Sequence, residues 1–290
     1  MKLLYKVALF TLGILALNRL YFYATDDFRL GNITYPFVFV QTQQEPIPPL
    51  FDQPYRYLGK GAQSYVFLSE DKKHVLKFFK FKHIKPALFD SEKQVKRKQR
   101  KLERLFAGYH IAQQHQVPGL TYVHLNLHQN HEPVVRLYDK LGLPRKVHLD
   151  QVVFIVQEAG TTFEQALSRS LKKSDVDSAK ALISQIFELY FSEYRQGLVD
   201  RDHRVMDNTG FTQGKAFHMD VGMLTKSSTI ASDNLHDIEK VAYTINHWMT
   251  NHFSEFSDEV RIFMEGKLTA HYNQPFQFTK TYDEVLKHTH

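Results

Sequence analysis

LVDRDHRVMDN at residues 198–208 and FHMDVG at residues 217–222 are the two stretches of this sequence with the most chemical information. Together they combine several carboxylates with an asparagine, a set that a hydrophobic core does not accommodate, so both stretches belong to loops. Carboxylate and amide oxygens on two neighbouring loops are the ligands that hard divalent cations such as Mg²⁺ require. Either stretch alone would be an ordinary polar turn, whereas the pair predicts a site for a metal ion and a phosphate group.

Helices surround this polar region. Apolar side chains recur at helical spacing from Ser178 to Gln196, and helical patterns dominate again from about residue 234 to residue 267. The part of the chain at residues 158–290 is therefore predicted to be a short, mostly helical lobe.

A glycine turn lies between two strand patterns further upstream, where GKGAQS at residues 59–64 separates YRYL from YVFL. A third strand is predicted at residues 75–79, VLKFF, with Lys77 as its only charge. A buried ammonium group needs an anion, because an unpaired charge is costly in a core. That anion is an acidic side chain or a phosphate. The alternative is a hairpin whose lysine reaches out to water.

More strands and one long helix complete this half of the chain. Strands are predicted at residues 121–127, 134–138 and 152–157, and a helix at about residues 91–115. The segment at residues 55–157 is thus predicted to be an α+β lobe of about five antiparallel strands and one long helix.

The first half of the long helix is strongly basic, since seven of the twelve residues at 93–104 are Lys or Arg. This pattern is typical of a solvated helix, and it would also suit contact with an acidic membrane surface or another polyanion. Glu103 is the acidic exception. It is a natural partner for Lys77, or it pairs with a basic neighbour one turn away.

Composition limits the classes of function. With 43% hydrophobic and 23% charged residues, the chain of 290 residues has the composition of a folded globular protein. It contains no cysteine, which excludes disulfides, thiolate zinc sites, iron–sulfur clusters and cysteine nucleophiles. The formal net charge of +6 favours anionic partners without choosing among them. No motif indicates specific binding of nucleic acid, and none indicates an oligomeric state.

The N-terminal segment at residues 1–24 is apolar except for a few basic residues. Its length suits a membrane anchor, provided that Asn18 and Arg19 lie near the membrane surface; a secretory signal and a buried helix are the alternatives. Residues 25–54 contain five prolines and are interpreted as a linker. The sequence therefore predicts membrane association through the N-terminal segment, without indicating the side of the membrane.

The order of these parts resembles that of the protein-kinase-like fold. Residues 59–66 resemble its glycine-rich loop, with Ser64 at the position of the third glycine, and Lys77 lies where the family has its strand lysine. Residues 198–202 resemble the catalytic loop, with Asp200 in place of its histidine, and residues 219–222 resemble the metal-binding Asp-Phe-Gly motif.

The resemblance implies a two-lobed nucleotide-binding protein that uses ATP and Mg²⁺. It makes Asp202 the catalytic base, has Glu103 orient Lys77, and assigns Mg²⁺ to Asn208 and Asp220. It assigns contacts with the nucleotide to residues of the first lobe, namely Gly59, Gly61, Ser64, Val66, Lys77, Gln157 and Glu158.

The sequence departs from the family pattern in two respects. The family places its catalytic aspartate five residues before the asparagine, but Asp202 lies six residues before Asn208 and His203 lies five before it. Asp200 and Asp207 are the reserve candidates. No Ala-Pro-Glu motif follows Asp220, and the helical lobe is short, so the chain looks like a divergent, atypical member of the bacterial, small-molecule or lipid type.

Three functions are consistent with these residues. The first is a divergent ATP- and Mg²⁺-dependent phosphotransferase whose acceptor the sequence does not identify. The second is a membrane-anchored pseudokinase that binds a nucleotide or a partner without turnover. The third is a metal-dependent hydrolase, with ligands drawn from Asp200, Asp202, His203, His218 and Asp220, although it leaves the glycine turn and Lys77 without a role.

Overall fold

The chain is described by a computed structural model that covers residues 2–34, 48–82, 84, 87, 89–125 and 133–286. It is a mixed α+β protein that divides into two compact units. The first unit takes in Met1–Leu102 and Thr121–Ala159, and the second takes in Glu103–Leu120 and Gly160–His290.

Among the described residues of the first unit are a seven-stranded sheet, three helical segments and a short 3₁₀ turn at Leu149–Gln151. The helices are α1 (Lys2–Thr25), α2 (Leu30–Ile33) and the first part of α3 (Glu92–Gln114). The strands are β1 (Tyr55–Lys60), β2 (Ser64–Ser69), β3 (His74–Phe79), β4 (Leu120–His124), β5 (Val134–Tyr138), β6 (Pro144–His148) and β7 (Phe154–Glu158).

The strand order in this sheet is β4-β7-β3-β2-β1-β5-β6. The prediction of about five antiparallel strands was wrong in number and in one pairing, because β1 and β5 run parallel. The sequence did not indicate β6, since it is an edge strand in which only Val147 is buried, so it lacks an apolar alternation. In β3, Val75 and Phe79 share a face with Lys77, while Leu76 and Phe78 are fully buried on the other.

Residues that follow α1 pack on this sheet. The ring of Phe28 lies 5.2 Å from that of Tyr65 and 5.0 Å from that of Phe67, and Ile33 is buried in the same core. The segment expected as a linker thus begins with residues that belong to the core, because its aromatic and branched side chains cover the sheet. Residues 35–47 of that segment lie outside the described residues.

The second unit contains a helical core and two small sheets. The helices are the rest of α3, α4 (Phe163–Leu171), α5 (Val176–Arg195), α6 (Val205–Asn208), α7 (Leu235–His252), α8 (Ser254–Tyr272) and α9 (Tyr282–Leu286). The strands are β8 (Thr161–Thr162), β9 (Leu198–Asp200), β10 (Thr209–Thr212), β11 (Lys215–His218) and β12 (Leu224–Lys226). The order is β11-β10-β8 in one sheet and β12-β9 in the other.

Capping and apolar spacing explain the main helices of this unit. Thr162 accepts a hydrogen bond from the Gln165 amide at the start of α4, and Asp175 accepts one from the Ser178 amide at the start of α5. The apolar face of α5 then lies in the core with α7 and α8.

A tight hairpin joins β10 to β11. Gln213 and Gly214, the two residues of its turn, have φ values of 49° and 78°, and positive φ at both positions suits the twist of an antiparallel pair. The strands pair from Thr209 with His218 to Thr212 with Lys215. The hairpin therefore fixes the residues at its open end, just before β10 and just after β11.

Candidate functional site

Asn208 and Asp220 lie at the open end of the β10/β11 hairpin. Asn208 directly precedes β10, Asp220 follows β11 by two residues, and the Met219 amide donates a hydrogen bond of 2.7 Å to the carbonyl oxygen of Asn208. Both side chains are partly exposed. The hairpin register thus brings together two of the residues that the sequence singled out.

Asp202 joins them through the single-turn helix α6. The side-chain amide of Asn208 donates to Oδ2 of Asp202 at 2.7 Å, while Oδ1 of Asp202 accepts from the Arg204 amide at 3.3 Å. The Asp202 amide in turn donates to Oδ1 of Asp200 at 3.0 Å. One helical turn therefore accommodates the six-residue spacing between Asp202 and Asn208.

The other candidates for the catalytic acid or base have different partners. Asp207 is exposed and pairs with Arg204 at 2.6 Å. His203 Nε2 contacts Oδ1 of Asp237 at 2.9 Å, so its ring is held on α7. Of these groups, only Asp202 hydrogen-bonds Asn208.

The Asp220 carboxylate is fixed by one residue of α3 and by one residue of its own loop. Its Oδ1 accepts hydrogen bonds of 3.0 Å from the Tyr109 hydroxyl and from the Gly222 amide. Burial, with the Asp220 carboxylate beside it, raises the pKa of Tyr109 well above its usual range, so the phenol remains a donor. The sequence did not indicate Tyr109 as a site residue, since no local pattern links it to Asp220, which is 111 residues away in the chain.

The close packing of α3 against the loop at residues 220–222 brings Tyr109 within hydrogen-bond distance of Asp220. A Cβ atom added to Gly108 would lie 2.5 Å from the carbonyl oxygen of Gly222. The backbone of α3 therefore lies directly against the loop that contains Asp220, and only glycine leaves room for it there.

A buried charged cluster lies behind the loops. His218 contacts Glu193 at 3.0 Å and Asp200 at 3.6 Å, and all three are at most 3% exposed. Burial raises the pKa of Asp200 to about 7, against the effect of the His218 charge. Burial alone would lower the pKa of His218, but Glu193 and Asp200 raise it to about 9. Since Asp200 accepts from the Asp202 amide, this cluster supports the loop rather than facing a ligand.

The glycine turn belongs to the first unit, between β1 and β2. The Gly61 amide donates to the Ser64 carbonyl at 3.0 Å, and the register of β1 and β2 shifts between Tyr57 and Gly59, where Gly59 then pairs with Val66. No atom lies within 4 Å of a Cβ added to Gly59, so its small size is not required by neighbouring residues of the fold. Open space above the backbone is what a ligand needs to approach it closely.

The remaining predicted residues of the first unit lie in β3 and β7. Lys77 is partly buried between its strand partners Val66 and Ile155. Gln157 is 1% exposed, and Glu158 is partly exposed at the end of β7. Glu103 is exposed on α3 and belongs to the second unit, so its pairing with Lys77 stays a prediction.

The described residues contain no group of three or more His, Asp and Glu side chains that could hold a metal ion. Mg²⁺, however, is commonly held by one or two protein side chains together with water and substrate phosphates. The side-chain oxygen Oδ1 of Asn208 and the oxygen Oδ2 of Asp220 are not used in the hydrogen bonds given above, and both are oxygen ligands. This pair fits Mg²⁺ bound together with a phosphate, but it does not form a complete protein site.

No protein-family model matches the chain, and no curated protein matches it. Among solved structures, the bifunctional kinase-methyltransferase WbdD is similar with a TM-score of 0.41 at 14% identity, over 84% of this chain and 53% of that one. A co-crystal structure of WbdD with the kinase inhibitor LY294002 gives a TM-score of 0.39 at 13% identity, over 79% and 43%. This chain thus spans about half the length of those WbdD chains, and at this similarity they do not decide its activity.

Proposed function

We propose that this chain is a divergent phosphotransferase of the protein-kinase-like type, which uses ATP and Mg²⁺. The observation that carries the proposal is the arrangement at the open end of the β10/β11 hairpin. There Asn208 and Asp220 are neighbours, and Asn208 hydrogen-bonds Asp202. A carboxylate beside two oxygen ligands for a metal ion matches two of the parts that recur in phosphoryl transfer, a group that positions the acceptor and the ligands of Mg²⁺.

Each of these residues has a role that follows from its chemistry. Asp202 orients the acceptor hydroxyl and accepts its proton, a task that suits an ionised carboxylate fixed by two hydrogen bonds. Asn208 and Asp220 hold Mg²⁺, which when bound neutralises charge on the phosphates. Lys77 and the glycine turn supply the positive charge and the open backbone that bind the phosphates of ATP.

The metal-dependent hydrolase receives no comparable support. Two of its five ligands, His203 and His218, contact Asp237 and Glu193 instead, and a third, Asp200, is 2% exposed. A ligand must be reachable by the metal and by water. The pseudokinase differs from the phosphotransferase only in turnover, so ATP binding without phosphate transfer in the experiments below would favour it.

Calorimetry on the full-length chain in detergent tests the metal assignment. We expect a nonhydrolysable ATP analogue to bind in the presence of Mg²⁺. The Asp220→Asn variant, which keeps the size of the side chain, should weaken this binding at least about tenfold because one charged metal ligand is lost.

The matched control is Asp233→Asn, which makes the same change at an exposed carboxylate before α7. It should bind the analogue as the wild type does. Equal Mg²⁺-dependent affinity in the wild type and in Asp220→Asn would show that the metal assignment is wrong.

A further inference from the structure

The helix α1 leaves an apolar surface uncovered. Its segment Tyr5–Thr25 is long and apolar enough to cross a membrane, with a mean hydropathy of 1.5, and its described side chains from Tyr5 to Tyr21 are exposed, whereas Thr25 at its end is buried. Phe10 is 71% exposed and Leu17 is 67% exposed. Such a surface is stable when lipid covers it.

One face of this apolar helix carries two polar residues. Asn18 and Arg19 lie on the same face as Leu15, Phe22 and Tyr23, because positions i, i+3, i+4, i+7 and i+8 fall on one side of a helix. These five residues line a cavity of about 490 Å³. Asp27, Arg29 and Lys82 line it as well.

Positive charge dominates this cavity, since three basic side chains line it together with one acidic side chain. Asp27 is engaged already, at 2.5 Å from Lys82 and 3.7 Å from Arg29, and its side chain is 11% exposed. Arg29 and Lys82 remain 38% and 43% exposed, and no acidic side chain of the described residues pairs with Arg19. The cavity therefore offers cationic donors to an anion.

Aromatic rings and the sheet hold these groups in place. Lys82 lies 5.1 Å from the centre of the Phe22 ring, and Arg29 lies 4.5 Å from that of Tyr21. The carbonyl oxygen of Asp27 accepts a hydrogen bond of 2.7 Å from Tyr65 in β2. The cavity is thus built by a helix end fixed to the sheet, rather than by loose surface lysines.

The position of the cavity along α1 indicates the type of anion. Arg19 lies six residues before Thr25, about 9 Å along the helix axis. In a helix that spans the bilayer, a position this close to the end of the span allows the long Arg19 side chain to extend to the level of the lipid headgroups, where Tyr and Arg side chains are favourable. An anion that meets the cavity there is attached to a lipid.

We propose that α1 crosses the membrane and that this cavity binds the phosphate group of an anionic phospholipid. Arg19, Arg29 and Lys82 bind the phosphate, while Leu15 and Phe22 contact the acyl chains. This site is separate from the residues assigned to ATP and Mg²⁺, and it does not depend on the proposed phosphotransfer.

The first experiment establishes the membrane span. Intact mass measured on the purified chain should show that residues 1–24 are retained, and the chain should stay with the membrane pellet after alkaline carbonate extraction. Cleavage of the segment, or release into the soluble fraction, would overturn the proposal.

The second experiment measures lipid binding by the detergent-solubilised full chain. Dihexanoyl phosphatidylglycerol is the anionic probe, and dihexanoyl phosphatidylcholine and inorganic phosphate are the comparisons. We expect the anionic lipid to bind more tightly than either. Removing one basic side chain at the headgroup should weaken its binding about fivefold, and removing two should weaken it about 30-fold.

R19Q is the variant that carries the test, because Arg19 is exposed and forms no ion pair with a described acidic residue. R19Q/K82Q removes a second charge, and its thermal unfolding is recorded because Lys82 pairs with Asp27. The matched control is K93Q/R97Q, which removes two exposed charges from the basic helix α3.

The control should bind the anionic lipid as the wild type does. Three results would overturn the proposal: equal binding of the two lipids, unchanged binding in R19Q, or loss in the α3 control alone. Equally tight binding of inorganic phosphate would show that the site takes a free anion and would also overturn it.

Discussion

The hydrogen bond between Asn208 and Asp202 distinguishes two adjacent candidates for the catalytic base. The side-chain amide of Asn208 donates a hydrogen bond of 2.7 Å to Oδ2 of Asp202, whereas Nε2 of the neighbouring His203 contacts Oδ1 of Asp237. Asp237 also accepts a hydrogen bond of 2.7 Å from Tyr194, so the imidazole belongs to a structural contact with α7 and α5. At the scale of single residues, the proposed role of Asp202 as the base therefore rests on its hydrogen bond with Asn208.

We expect Asp202→Asn to lower kcat by about 10²- to 10⁴-fold, because the carboxylate that accepts the proton is lost. His203→Gln should keep most of the activity. Phosphate transfer and ATP hydrolysis, measured for the wild type and both variants, test this expectation.

Loss of activity in the histidine variant alone would contradict the assignment and would make His203 the base. If the wild type binds ATP but transfers no phosphate to lipid, small-molecule or protein acceptors, the pseudokinase is the better description.

The packing of α3 against the loop at Asp220 is the contact between elements that positions Asp220, one of the two proposed ligands of Mg²⁺. Gly108 allows this approach, and Tyr109 beside it provides the hydrogen bond to Asp220. Glycine has a low helix propensity, yet Gly108 lies within α3 where the helix packs against the loop, so packing outweighs helix propensity at this position.

Gly108→Ala should lower the free energy of unfolding by about 2 kcal/mol or more, since the new methyl group would overlap the Gly222 carbonyl. Gly266→Ala in α8 is the matched control, because no atom lies within 4 Å of a Cβ added there. This control should be more stable by about 0.5–1 kcal/mol, as expected for alanine in a helix.

Urea unfolding of both glycine variants measures the two changes. Equal effects of the two substitutions would show that α3 does not pack closely against the loop. The Gly108→Ala variant should also bind Mg²⁺ and the ATP analogue more weakly, because the loop that presents Asp220 must shift.

For the whole molecule, acid stability depends on a histidine in the core of the first unit. His124 is 1% exposed and its ring stacks on that of Phe154, with centroids 4.7 Å apart. Burial lowers the pKa of His124 to about 4, from about 6.5 in an unfolded chain. Between these two values the unfolded chain binds a proton that the folded chain does not.

The contribution of His124 to the free energy of unfolding should therefore fall as the pH falls from about 6.5 to about 4, by up to about 3 kcal/mol, whereas the raised pKa of Asp200 contributes in the opposite direction. His124→Leu should remove this part of the pH dependence, while the exposed His148→Gln should not. The measurement is urea unfolding of the full chain in detergent at pH values between about 4.5 and 7.5. The same pH dependence in the wild type and in His124→Leu would contradict the expectation.

Local patterns in the sequence were sufficient to predict helices and strands, which depend on residues close together in the chain. Apolar spacing indicated α5, alternation and a glycine turn indicated β1 to β3, and the apolar run at residues 1–24 indicated a helix long enough to span a membrane. Periodicity reports such elements because each depends on residues within a few positions of one another. It did not indicate β6, whose exposed edge has no such pattern.

Contacts between distant residues were decided by the tertiary structure. Tyr109 and Asp220 are 111 residues apart in the chain, and Arg19 and Lys82, which line one cavity, are 63 apart. No local pattern links such pairs, because their meeting depends on how helices and strands pack. The different partners of Asp202 and His203 are of the same kind, since Asn208 is positioned by a hairpin and Asp237 by α7.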